Sequence, residues 1–207
     1  MRFANRWQAG KELLGLVAKY SDDIDLVLAI PRGGVEVAAA LAQELKKPVS
    51  LLSARKVGAP FNRELAIGAV APDGSSWYNE ELIRHFRLSP QELQALSLQA
   101  VAEQEKRRQA YGNEVDLQAV QGKGVLLIDD GAATGATLFA GLIALRRAGA
   151  APVGVAVPVA SREVVPLLQA QTDYFLALET PADFFAVGQY FREFRPVSDE
   201  RVRQLLG

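Results

Sequence analysis

Short apolar runs alternating with helix-like stretches constrain this chain more than any other feature. Leu26-Val27-Leu28-Ala29-Ile30 and Val125-Leu126-Leu127-Ile128 are the clearest of them. Neither run is interrupted by polar residues, as a strand with one wet face would be, so both predict strands covered on both faces. Runs at 49–52, 152–157 and 174–178 predict three more strands. Helical patterns at 35–46, between 137 and 148, and at 162–169 fall among them, with Pro48 and Gly149 as stop signals. Parallel neighbours need a crossover of a dozen or more residues, and a helix is the usual one. The expected fold class is α/β: an open, mostly parallel sheet flanked by helices.

The middle of the chain reads differently. Residues 55–62 carry Gly, Pro and charge and predict a loop, while 65–71 and 76–78 predict a short hairpin closed near Pro72-Asp73-Gly74. Ser89-Pro90-Gln91-Glu92 has the form of a capping box with proline at the first helical position, which predicts a long helix ending near Tyr111-Gly112. The tail, 179–207, is aromatic-rich and ends in a short helix near 199–206. No internal repeat, low-complexity segment or linker breaks the pattern, so residues 1–207 are expected to form one domain.

Composition mainly excludes. A net charge of −1 gives no general attraction to nucleic acid or anionic membrane, and no basic helix or helix-turn-helix pattern supplies one locally. The absence of cysteine rules out disulfides, thiolate metal sites and a cysteine nucleophile. No apolar run approaches the ~18 residues of a membrane span, and the N-terminus lacks an apolar signal core. The expected location is cytoplasmic.

The chemistry is concentrated where the run 125–128 ends. Asp129-Asp130 are followed by Gly131-Ala132-Ala133-Thr134-Gly135-Ala136-Thr137, a small-residue turn that leads into a helix. In open α/β sheets ligands bind beyond the carboxyl ends of the strands, which is where these residues fall. Small residues let backbone N–H groups approach an anion, and the helix end adds unpaired donors with partial positive charge. The helix dipole alone contributes ~0.3–1 kcal/mol, so several N–H groups, with the Thr134 and Thr137 hydroxyls, must act together. Adjacent carboxylates at ~4 Å repel by ~1 kcal/mol in water and by more when shielded. An ordinary strand end has no need of that repulsion, whereas sugar hydroxyls or a magnesium ion would relieve it. Alternation along the strand faces the two acids differently, so one is expected to touch ligand and the other to support it. No lysine follows Gly135, so the turn is not a P-loop, and the glycine spacing does not fit a dinucleotide-binding turn.

This segment closely resembles the signature of type I phosphoribosyltransferases, which bind 5-phosphoribosyl-1-pyrophosphate (PRPP). The resemblance runs in order across residues 26–178. It implies that Asp129 and Asp130 hold the ribose 2′- and 3′-hydroxyls and that residues 131–137 hold the 5′-phosphate. It also implies Mg²⁺ carried by PRPP, with no direct protein ligand and with Asp129 or Asp130 reaching it through water. The other partner is a nitrogenous base or similar nucleophile; dimers are common in the family, so the resemblance allows a homodimer without fixing the oligomeric state. Members acting on 6-oxopurines carry an Asp where this chain has Ala133, which argues against hypoxanthine or guanine as acceptor.

Two further segments gain meaning from the resemblance. Pro31-Arg32-Gly33-Gly34 follows the first strand; alone it reads equally as a tight turn with a surface arginine, or as backbone donors beside a charged fork. The resemblance makes it the pyrophosphate loop, often held through a strained or cis peptide. Arg55-Lys56 is by default solvated surface charge; the resemblance places the pair, Lys56 first, on a mobile catalytic loop where a basic group meets the pyrophosphate. Glu64 either belongs to that loop or balances Arg63.

Terminal segments, about 1–20 and 179–207, are expected to form a small hood over the base. Aromatic residues there either stack on a flat base or belong to the core. Phe185, Val187 and Tyr190 are the expected contacts. His85 lies in an amphipathic stretch and is assigned no role. Transfer of phosphoribosyl to a nitrogen nucleophile, with release of pyrophosphate, is therefore the expected activity. A PRPP- or nucleotide-sensing module without turnover is the alternative from another class.

Overall fold

The computed structural model describes residues 2–206 apart from the side chain of Glu64, so the role read for Glu64 lies outside the described residues. Five parallel strands form the main sheet: β1 (Leu26–Ala29), β2 (Val49–Leu51) and three later strands, β6 (Val125–Ile128), β7 (Val153–Val159) and β8 (Tyr174–Glu179). Their order across the sheet is β2-β1-β6-β7-β8. The remaining strands, β3 (Arg55–Ala59), β4 (Asn62–Val70) and β5 (Ser76–Tyr78), form a separate antiparallel sheet.

Alternation along the parallel strands assigns each face its own core. Val27, Ala29, Leu126 and Ile128 pack on one side with α1 (Arg6–Val17) and α2 (Gly33–Leu45), through Leu13, Val17, Val37 and Leu41. Leu28, Val125 and Leu127 pack on the other side beneath α5 (Ala136–Arg147) and α6 (Val164–Gln169), through Leu138, Leu142, Val164 and Leu168. All four β6 side chains are buried, as a strand covered on both faces requires. The expected α/β class with a parallel, helix-flanked sheet is what the chain adopts.

The strand order contains one reversal of direction. From β1 the chain moves outward to β2 through α2, and from β6 it moves the opposite way through α5. The connections leaving β1 and β6 therefore diverge onto opposite faces, and a crevice opens between the carboxyl ends of these two adjacent strands.

One expectation is corrected. Residues 55–62 do not form an open loop; they make β3 and its tight turn into β4, paired from Arg55 with Val70 to Ala59 with Asn62, with irregularities at Gly58. Val57 and Ala59 are buried against Ile67, Val70 and Ala100. Ala100 belongs to α4 (Pro90–Tyr111), far along the chain, and that cover makes strand pairing favourable where local composition suggests a loop. The α4 start is as expected: Ser89 accepts from the Glu92 N–H while Glu92 accepts from the Ser89 N–H. Before α4 lies the short α3 (Glu80–Phe86), capped by the Asn79 side chain.

The chain ends meet. Phe3 forms a parallel bridge with Phe191, their rings 5.3 Å apart, and both are buried with Val159 of β7. α7 (Asp199–Leu206) closes the chain, with Val202 buried in the same core as α1 and α2.

Candidate active site

A cleft of about 280 Å³ lies at the crevice between β1 and β6. Three of its walls come from segments singled out in the sequence. Pro31, Arg32 and Gly33 follow β1, Arg55 and Lys56 open β3, and Asp129, Asp130, Gly131, Ala133, Thr134, Gly135, Ala136 and Thr137 follow β6. Four cationic side chains (Arg32, Arg55, Lys56, Arg107) face two acidic ones (Asp129, Asp130), an excess of positive charge suited to a polyanion.

The two acids have different partners. Asp129 Oδ1 accepts from the Asp130 N–H at 2.8 Å, and its Oδ2 accepts from the Thr137 hydroxyl at 3.3 Å. Asp130 Oδ2 accepts from Arg6 Nε at 2.7 Å. Burial first, and the neighbouring Asp130 charge second, push the Asp129 carboxyl well above the usual carboxylate range. Asp130 is the acid that has a cation.

Close backbone approach explains both glycines of the β1 loop. A Cβ on Gly33 would stand 1.9 Å from Asp130 Oδ2, and one on Gly34 would stand 2.8 Å from the Ile128 carbonyl oxygen. Gly34 thus lets the α2 N-terminus press against the end of β6 rather than line the cleft. The Pro31–Arg32 peptide is cis.

The small-residue turn is anchored at its base and open at its rim. Ala132 is buried, its N–H donates to Val159 O at 2.8 Å, and its carbonyl accepts from the Ser161 N–H at 2.8 Å. Ser161 Oγ also donates to Ala133 O at 2.7 Å. Gly135, at φ +70°, precedes α5 and has no side chain to cap its first turn; the Ala136 N–H makes a long 3.4 Å contact with Thr134 Oγ1, and the other donors of that turn are left to an anion.

Not every expected residue reaches the cleft. Phe185 is 89% exposed and Tyr190 packs elsewhere, stacked on Phe184 with its hydroxyl donating to Asp183 O at 2.7 Å. Neither lines the cleft. The terminal segment sends Val187 instead, whose methyls lie where a Cβ on Gly131 would be, 2.6 Å away at the nearest.

Several residues in or behind the cleft escaped the sequence reading. Arg6 belongs to α1 and reaches Asp130 with its guanidinium stacked 3.7 Å over Phe194, while Nη1 donates to Arg195 O at 2.9 Å. Gln104, Arg107 and Tyr111 come from α4. Their spacing of three and four places them on one helix face, but Gln and Arg recur all round this helix, so no local signal singled these three out. Gln104 Nε2 donates to the Ser53 carbonyl, and Ser53 in turn donates twice to Glu114.

Among the described residues no three His, Cys, Asp or Glu side chains cluster as a metal cage would require. Asp129 and Asp130 suit a magnesium ion that arrives with its ligand and keeps most of its own water. Among the described residues no helix is long and apolar enough to cross a membrane.

Comparisons with known proteins agree with this geometry. A family model described as "Phosphoribosyl transferase domain" matches residues 7–188. Two Mycobacterium tuberculosis proteins, from strains CDC 1551 and H37Rv and each named "Putative phosphoribosyl transferase", are 36% identical over 200 residues, covering 97% of this chain and 45% of theirs. The chain thus spans about half the length of the curated relatives it matches. The crystal structure of TT1426 from Thermus thermophilus is similar with a TM-score of 0.79 and 37% identity, covering 100% of this chain and 98% of that one.

Proposed function

The chain belongs to the phosphoribosyl transferase domain family, and from that premise we propose that it moves the phosphoribosyl group of PRPP to a nitrogenous base and releases pyrophosphate. The observation that carries this reading is the convergence in one cleft of the Asp129–Asp130 strand tip, the uncapped α5 turn and the basic pair Arg55-Lys56.

In this reading the 5′-phosphate sits on the α5 N-terminal turn, where N–H groups and the Thr134 hydroxyl supply donors, joined by the Thr137 hydroxyl once it turns from Asp129 to the phosphate. Asp130, paired with Arg6, and Asp129 accept from the ribose hydroxyls and fix the sugar, so positioning supplies much of the acceleration. The C1–O bond to pyrophosphate breaks as the N–C1 bond forms, and the acceptor nitrogen gives up its proton. Positive charge gathers on the sugar while negative charge gathers on the leaving group. Arg32 and Lys56 stand on the leaving-group side and meet that negative charge. Lys56 is exposed near the start of β3 and lines the cleft, where its charge offsets part of the rise in the Asp129 pKa. Mg²⁺ bound to the pyrophosphate, and held through water by Asp129 or Asp130, would neutralise part of the same charge.

Ala133 lines the cleft where 6-oxopurine enzymes carry an acid, which supports an acceptor other than hypoxanthine or guanine. Val187 is the side chain placed to limit its size.

The test is PRPP-dependent pyrophosphate release across a panel of bases, with Asp130→Asn as control. Release with at least one base, lost in the variant, is the expected result. Tight PRPP binding with no release on any base would identify a sensing module instead, and equal turnover by Asp130→Asn would remove the role given to that residue.

A further inference from the structure

Two buried polar atoms that line the cleft have no hydrogen-bond partner among the described residues: Arg55 Nε and the Tyr111 hydroxyl. Both can donate, and a buried donor without an acceptor is unfavourable unless a ligand supplies one. Tyr111 is only 5% exposed, so bulk water is a poor substitute. Arg107, one turn earlier on α4, lines the same cleft and has no ion pair among the described residues, whereas its neighbour Arg108 pairs with Glu105 at 2.8 Å. Arg32 reaches Asp199 of α7 at 3.4 Å, a loose contact between side chains 35% and 46% exposed. The charges of Arg107, Asp199 and Arg32 all act on the Tyr111 hydroxyl. After burial, Asp199 also comes near enough to raise its pKa through a side-chain hydrogen-bond contribution, although the hydroxyl reaches no partner at full hydrogen-bond geometry. Arg32, Arg107 and the Tyr111 hydroxyl thus gather near Asp199 at one part of the cleft, and Arg55 lines the same cleft with Nη2 donating to Glu103 at 2.6 Å and Nε left without a partner.

We propose that Arg107 and Tyr111, in the last turns of α4, complete with Arg32 and Arg55 a diphosphate-binding subsite that holds the leaving-group end of PRPP and pyrophosphate itself. The proposal rests on the PRPP reading above and adds to it a helix that lies outside the strand-tip signature. A diphosphate offers many acceptor oxygens and delocalised negative charge, which matches a planar guanidinium at Arg107 and a single directed donor at Tyr111. It also competes with Asp199 for Arg32. Asp199 thus acts as a stand-in anion, and its contact with Arg32 is released when the diphosphate arrives.

Titration calorimetry on the full chain tests this with three probes: inorganic pyrophosphate with magnesium, PRPP with magnesium, and ribose 5-phosphate. Arg107→Ala is expected to weaken pyrophosphate and PRPP by about tenfold or more, and Tyr111→Phe by about threefold or more, with ribose 5-phosphate held within about twofold. Asp199→Asn is expected to tighten pyrophosphate, because Arg32 is freed. Thermal melts show that each variant is folded, and Tyr111→Phe keeps the ring that packs the helix. Wild-type pyrophosphate affinity in both α4 variants, or an equal loss of ribose 5-phosphate, overturns the subsite while leaving the PRPP reading intact. A wild-type chain that binds none of the three probes overturns both.

Discussion

Arg6 Nε donates to Asp130 Oδ2 at 2.7 Å, joining the first helix to the tip of β6 across 124 positions of sequence. Their side chains are 7% and 16% exposed, so the pair is well covered. The same guanidinium lies over Phe194 and bonds to Arg195 O, which ties both ends of the chain to one acid of the cleft. Removing one partner of a buried pair costs about 3–5 kcal/mol, because the other charge is left unpaired. Arg6→Met is expected to lose stability of that order in urea unfolding, and Arg6→Met with Asp130→Asn to recover much of it. A loss below about 1 kcal/mol would mean that the pair behaves as an exposed one.

Asp129 works in the opposite sense. Burial and the Asp130 charge raise its pKa above the ordinary carboxylate value, so the folded chain keeps a proton that the unfolded chain has already released. Stability then falls as pH rises from about 4, where an unfolded aspartate ionises, towards the raised folded value. Asp129→Asn is expected to be more stable than the wild type above that range and to unfold with a flatter pH dependence, while losing PRPP binding. Unfolding free energies compared at mildly acidic and neutral pH measure it, and a wild-type stability that climbs with pH would contradict the sign.

Gly33 has almost no freedom to change, since its missing Cβ is the space that the Asp130 carboxylate fills. Gly33→Ala is expected to push that carboxylate aside and weaken PRPP binding by about tenfold or more, with a stability loss of about 1–3 kcal/mol from overpacking. Calorimetry alongside thermal melts separates the two effects. Unchanged PRPP affinity would show that Asp130 binds ligand from another position.

Val187 and Phe185 should part company in a base panel. Val187 lines the cleft against Gly131, whereas Phe185 is almost fully exposed beyond it. Val187→Ala is expected to alter the ranking of acceptor bases by about tenfold, and Phe185→Ala to leave every kcat/KM within about twofold. The reverse result would place the acceptor outside the cleft.

Most of the strands and long helices were legible because each carries a local signal. The apolar run at β6, the capping box before α4 and the small-residue turn before α5 are contiguous, and the physics they report acts over a few residues. The hairpin of β3 and β4 was not legible in the same way, since Val57 and Ala59 became strand residues only under the cover of α4.

The split within the cleft has the same origin. Contiguous sequence specified an α/β sheet, the strand end on which its chemistry gathers, and the paired acids and donor-rich turn that meet there. Folding alone brought Arg6 to Asp130, Arg107 and Tyr111 to the Arg32 end, and Val187 rather than an aromatic ring to the rim. Backbone preference and apolar period are properties of neighbours in sequence. Which remote cation neutralises a buried acid depends on how helices pack across the sheet, and no short stretch of sequence encodes that.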